Sequence, residues 1–244
     1  SMDSLIFCTD SDTLVSKDYI EKVKAYFDAT GAISAVVGFQ HLESHDPNQE
    51  EAIRHYEKYL LLTAKNMKDA GTPYGYVAMG STMVCTAKAY CAVGGMPRKK
   101  ATEDFYFLQE LCKYCGVHTI PDILVYPSPR PIPRVYLGTG FRMKQLQEGF
   151  DLSTLYFTDS AFHLLLNWID LGSNAWEMEL SPLRKKTTAI HHDLTAFLLQ
   201  EGLGEVWANL QRNASSKSHF SRQFHRWFDG LKTIRFLKYF SEYT

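Results

Sequence analysis

The sequence predicts an α/β part followed by an all-helical part, with the change at about residues 140–145. Short apolar runs at Leu5–Cys8, Ala32–Phe39, Tyr76–Cys85 and Val117–Tyr126 alternate with segments of helical spacing. From Phe141 onward only helical spacing remains, broken near Gly149, Gly172, Pro182, Gly202 and Ser215. That order of elements divides the chain into 1–145 and 146–244.

The first run, Leu5-Ile6-Phe7-Cys8, reads as a buried central strand ending in Thr9-Asp10-Ser11-Asp12. Acids at the C-terminal edge of such a strand sit where open α/β sheets bind ligands. Ser16 is expected to cap a helix to about Ala29, with Tyr19, Ile20, Val23, Tyr26 and Phe27 on one face and Thr30-Gly31 as its stop. The second strand, Ala32–Phe39, is rich in Val, and the polar stretch His41–Gln49 is a loop. Glu50–Met67 then forms a long helix, stopped by Asp69-Ala70-Gly71-Thr72-Pro73.

Gly80-Ser81 interrupts the strand-like run 76–85, and a glycine there points to close backbone approach. A short helix, Ala87–Val93, leads into Gly94-Gly95. Thr102 is placed to cap a helix that opens on Glu103 and Asp104 and ends at Gly116. Acids in a first helical turn are favoured by the helix dipole, which is their ordinary explanation. Val117–Tyr126 is a strand, and Pro127–Pro133 a proline-rich arm.

Composition sets outer limits. The 244 residues are 45% apolar and 22% charged, which is ordinary for a globular chain with one large domain or slightly more. A net charge of −1 gives no bulk electrostatic pull toward nucleic acid. Five cysteines, odd in number and irregularly spaced, argue against a disulfide framework and fit a reducing compartment. No apolar run approaches the roughly 18 residues of a membrane span, and the first residues have no signal-peptide pattern. Ser1-Met2 reads as a cloning remnant ahead of an excised fragment, so the natural protein is expected to start earlier.

Several groups carry candidate chemistry. Asp10 and Asp12 flank one residue, so on an extended strand end both carboxylates point to one side. Hard oxygen ligands at that spacing suit Mg or Mn carrying a phosphate; a solvated loop is the plain alternative. Arg130, Arg134 and Arg142 surround Gly138-Thr139-Gly140, a pattern suited to phosphate oxygens. Cys112 and Cys115 form a C-x-x-C at a helix C-terminus, the wrong end for a stabilised thiolate and without a second pair for zinc, so they read as core. His191-His192 reads as structural or exposed. Ser218–Tyr243 places Phe220, Phe224, Trp227, Leu231 and Ile234 on one face of a basic helix. Such a helix can lie on an anionic membrane, though packing onto the protein is the commoner use.

Taken in order, these pieces resemble the second half of a family-2 glycosyltransferase of the GT-A fold. The matching segments are Phe7-Cys8-Thr9-Asp10-Ser11-Asp12-Thr13 with Ser16–Tyr19, then Met79–Val84 with Ala89-Tyr90 and Val93-Gly94-Gly95, then Thr102-Glu103-Asp104 in the T-E-D form of processive synthases. The resemblance covers about residues 3–145. It implies a partial GT-A domain, Rossmann-like with a mixed sheet and flanking helices. The strands that hold the nucleotide base and ribose have no counterpart here. Gln223-Phe224-His225-Arg226-Trp227 spells Q-x-x-R-W but lies too far past T-E-D for a role to be assigned.

The resemblance implies inverting transfer of a sugar from a nucleotide-diphosphate donor, with a UDP-sugar expected, to a hydroxyl of a glycan or lipid. It implies a divalent cation (Mn or Mg) at Asp10 and Asp12, Asp104 as base and Glu103 as its orienting neighbour. The acceptor is expected along Gly80 and Ser81, and Arg134 and Arg142 on the diphosphate. From the residues themselves a cytoplasmic chain is expected, with peripheral membrane contact through the C-terminal basic helix and no nucleic acid partner. With part of the pocket absent, weak nucleotide affinity and little activity of this chain alone are expected. Two other readings stay open. One is a scaffold or interaction domain that keeps the fold. The other is a haloacid-dehalogenase-type phosphatase, disfavoured because Asp12-Thr13-Leu14 lacks the Gly of D-x-D-G-T.

Overall fold

The computed structural model describes residues 2–130, 139–149 and 151–242. The protein is mixed α/β: a five-stranded sheet with flanking helices, followed by a helical region. The chain separates into two compact units. Unit 1 holds residues 1–64 and 76–156; unit 2 holds 65–75 and 157–244. The division thus falls beyond the expected 145, and a segment of eleven residues from the first half counts with the second.

In unit 1 the elements are β1 (Leu5–Phe7), β2 (Leu14–Val15), α1 (Tyr19–Thr30), β3 (Ser34–Phe39), α2 (Pro47–Asp69, its last turn in unit 2), β4 (Met83–Thr86), α3 (Ala87–Ala92), α4 (Glu103–Cys115), β5 (His118–Tyr126) and α5 (Thr139–Gln147). The sheet order is β1-β4-β3-β5-β2. Only β3 and β5 pair in parallel; the other neighbours are antiparallel.

β3 alternates as a strand with two covered faces must. Ala35, Val37 and Phe39 join Tyr19, Val23 and Phe27 of α1 in one core. Val36 points the other way, into a core with Met83, Cys85, Phe107, Leu108 and Leu111, which seats α4. Gly38 is required where β3 meets the irregular part of β5. A Cβ there would lie 2.5 Å from the Asp122 carbonyl oxygen.

Several sequence expectations are corrected. β1 is an edge strand of three half-buried residues, not a buried central one; its length leaves too little surface to cover both faces. The run 76–85 is not one strand: Gly80–Thr82 forms a 3-10 turn and only Met83–Thr86 pairs. Ser16 does not cap α1; Asp18 occupies that place without a side-chain bond, and Ile20 is 66% exposed. Thr102 does not cap α4 through its side chain, as described below.

Unit 2 holds α6 (Asp159–Ser173), α7 (Leu180–Ile190), α8 (Leu194–Gln200), α9 (Leu203–Arg212), α10 (Lys217–Trp227) and α11 (Gly230–Glu242). The basic C-terminal segment is two helices, not one, because Asp229-Gly230 starts a new cap: the Lys232 N–H donates to Asp229 Oδ1 at 3.2 Å. Phe220, Phe224, Phe228, Phe236 and Phe240 are buried, and Trp168 of α6 packs edge-on against Phe224 and Phe228. Trp227, Leu231 and Ile234 of the same segment are half-buried. No helix among the described residues is long and apolar enough to cross a membrane.

Candidate functional site

The sheet topology builds the site. β1 and β2 are consecutive in sequence yet lie on opposite edges of the sheet. The linking residues, Cys8–Thr13, must run across the ends of the strands between them. Neighbouring strands sit about 4.8 Å apart, so a link this short has little slack. Asp10 and Asp12 are thereby strung over the C-terminal ends of β3 and β5. Gly80 and Ser81, just ahead of antiparallel β4, arrive at the same end.

Ser81 fixes this loop. Its hydroxyl donates to Asp10 Oδ2 at 2.7 Å, accepts from the Asp10 N–H at 3.3 Å, and lies 3.0 Å from Thr13 Oγ1. A Cβ on Gly80 would stand 3.7–3.8 Å from both Asp10 oxygens, so the absent side chain leaves that carboxylate uncovered on one side. The Arg130 guanidinium, from the arm after β5, donates to Asp12 Oδ2 at 2.7 Å.

Asp104 comes to this end from α4. Burial pushes its carboxyl up to about 6, and the nearby charges of Glu103 and Asp10 push the same way against a bond from the Phe105 N–H. Asp104 therefore lies within reach of the Asp10 charge despite their separation in the sequence. The residue before this pair is held in an unusual conformation. Thr102 has φ +65° and ψ +16°, the left-handed region, and is the one described non-glycine residue with positive φ. For a β-branched side chain that conformation costs of order 1–3 kcal/mol. Its hydroxyl bonds the Ala101 carbonyl at 2.5 Å rather than the helix.

A third wall is one the sequence reading missed. Tyr56 of α2 is buried, with its phenol pushed up to about 12 by burial and by the charge of Tyr59, with Asp104 adding to this and Arg142 opposing it. Its ring lies 6.2 Å from that of Tyr59, which meets Tyr156 edge-on at 5.5 Å. Met143 of α5 packs among Ala52, Ile53 and Tyr56, and this docking carries Arg142 to the tyrosines. Arg142 also donates to Gln145 at 2.7 Å. The tyrosines were legible only as helical periodicity in α2, which does not tell a core face from a cleft wall. Arg134 lies outside the described residues, as do Pro131–Gly138 around it.

The donor set fits a hard divalent cation bound partly by a ligand. Asp10 and Asp12 offer hard carboxylate oxygens, and phosphate oxygens and water would complete the shell. A cation taking Asp12 would have to displace Arg130. The described group of three metal-type residues with ligand atoms within 4.8 Å of one another is elsewhere: His191, His192 and Asp193 in unit 2. There the His191 Nδ1 already accepts the Asp193 N–H at 3.1 Å, and His192 pairs with the Asp193 carboxylate at 3.0 Å. The C-x-x-C is core: burial pushes the Cys112 thiol up to about 12 and the Cys115 thiol up as well, so neither is a ready thiolate.

No protein-family model matches the chain, and no curated protein matches it significantly.

Proposed function

We propose that unit 1 is the metal- and acceptor-binding part of a GT-A-type glycosyltransferase that moves a sugar, with inversion, from a UDP-sugar to an acceptor hydroxyl. The observation that supports this reading is the Asp10 charge acting on a buried Asp104, whose carboxyl is raised to about 6. A carboxyl so placed is mostly ionised at neutral pH yet more basic than an ordinary one, as a general base requires. Asp104 takes the proton of the acceptor hydroxyl. Glu103 beside it keeps the local field negative and so supports that basicity. Asp10, steadied by Ser81, and Asp12 are the residues that would hold Mn or Mg, which supplies charge neutralisation of the leaving diphosphate when bound. Arg130, once released from Asp12, and Arg142 carry the charge to hold phosphate oxygens; Arg134 is proposed for the same role from the sequence alone. The uncovered side of Asp10 at Gly80 admits the acceptor or donor close to the backbone.

The test is sugar transfer from a panel of UDP-sugars with Mn, using the natural protein. Asp104→Asn is expected to lower transfer by at least about 100-fold while leaving donor binding nearly unchanged. Equal turnover by that variant removes Asp104 as the base. Robust folding with no transfer from any donor favours the scaffold reading instead.

A further inference from the structure

The segment that leads into the acidic pair has the opposite charge. Between Asp69 and Glu103 the chain contains no acidic residue, while Lys88, Arg98, Lys99 and Lys100 lie within it. Arg98, Lys99 and Lys100 are consecutive and exposed. No ion pair or hydrogen bond to a carboxylate engages any of the three among the described residues. Like charges set side by side without a carboxylate to offset them cost free energy through mutual repulsion, so the arrangement favours an anion brought from outside.

The segment is also held in place. The Lys99 N–H donates to the Pro97 carbonyl at 2.9 Å, and the Lys99 ammonium sits 3.9 Å above the Tyr106 ring. Tyr106 follows Glu103 by three positions, on the same helix face. The left-handed Thr102 then turns the chain from the cations into Glu103 and Asp104. The cations thus stand just ahead of the acidic pair, with Lys99 seated on the opening turn of α4 through Tyr106. An anionic chain approaching four carboxylates (Asp10, Asp12, Glu103 and Asp104) would be repelled unless a basic border offset them.

We infer that the acceptor is an anionic glycan, bearing carboxylate or phosphate groups, gripped by Arg98, Lys99 and Lys100 next to the reacting hydroxyl. This rests on the transferase reading for the meaning of the neighbouring cleft, but its test needs neither donor nor metal. Tetragalacturonate, maltotetraose and tetrathymidylate are titrated into the whole chain by calorimetry at low and physiological salt. Tetragalacturonate is expected to bind at least about tenfold more tightly than maltotetraose, and the preference to shrink with salt. R98Q/K99Q/K100Q should lose that preference. R98Q/K100Q, which keeps the Lys99–Tyr106 contact, should lose most of it with an unchanged melting temperature. Equal affinity for the two sugars, a triple variant that binds tetragalacturonate like the parent, or tetrathymidylate binding at least as tightly would each overturn the inference. Anionic-glycan binding without any sugar transfer would sink the transferase reading and leave the basic border standing; transfer without charge preference would do the reverse.

Discussion

Thr102 and Asp104 hold conformations and charges that folding alone disfavours. Replacing Thr102 with Gly removes the β-branched clash at φ +65° and is expected to stabilise the protein by about 1 kcal/mol in denaturant titration. Equal or lower stability would mean that the Thr102 side chain contributes more than it costs. Asp104 gives a pH signature with a definite sign. Its folded pKa of about 6 lies above the ordinary carboxyl value of 3.8, so the fold favours the protonated form. The native state then binds the extra proton, and stability falls as pH rises through this window. Asp104→Asn should therefore match the parent near pH 4 and exceed it by about 1–3 kcal/mol at pH 7.5, read as melting temperature against pH. A pH-independent difference would place the carboxyl outside a desolvated cleft. Transfer by the parent should decline as pH drops below about 6, as the base becomes protonated. The acids themselves were legible in the sequence, because T-E-D and D-x-D are local spellings. The strain at Thr102 was not: a Thr before two acids spells a helix cap, and only tertiary placement set its backbone otherwise.

At the scale of elements, α2 is positioned by a buried polar clamp. Glu57 accepts from the His41 ring at 2.9 Å, from the His41 N–H at 2.5 Å and from Arg54 at 2.8 Å. Arg54 also reaches Glu50 at 2.7 Å and the His41 carbonyl at 3.0 Å. Burial raises the Glu57 carboxyl, but these donors outweigh it and hold it below the usual range. The clamp ties the chain after β3 to the helix that carries Tyr56 and Tyr59. Glu57→Ala takes the carboxylate away from the buried His41 ring and removes one of the Arg54 acceptors, and should cost about 2–4 kcal/mol by chemical denaturation. A loss under about 0.5 kcal/mol would mean that α2 is fixed by its apolar face alone. Periodicity located α1, α2, α4 and β3 well, since each buries one regular face. It failed where pairing rather than burial decides: β1 is apolar but lies at an edge, and the 76–85 run is apolar but bends at Gly80. His41 and Glu57 are sixteen positions apart, and no local pattern pairs them.

For the whole molecule, the change from alternating strands and helices to helices alone was readable from hydrophobic spacing. The inclusion of residues 65–75 in the helical unit was not, because its first part, Lys65–Asp69, simply continues the period of α2. The C-terminal helices show the same limit. Their aromatic and basic faces fit either a lipid surface or a protein core, and Phe224 and Phe228 pack in the core against Trp168. The account stands on unit 1 bringing distant acids to one sheet end, where a cation and a diphosphate can be held together. Paramagnetic broadening of backbone amide signals by Mn in the presence of UDP reads this directly, even at weak affinity. Simultaneous broadening at Asp10, Asp12, Ser81 and Phe105, lost in Asp10→Ala, is the expected result. Broadening scattered over exposed carboxylates, or absent from Phe105 while present at Asp12, would contradict it.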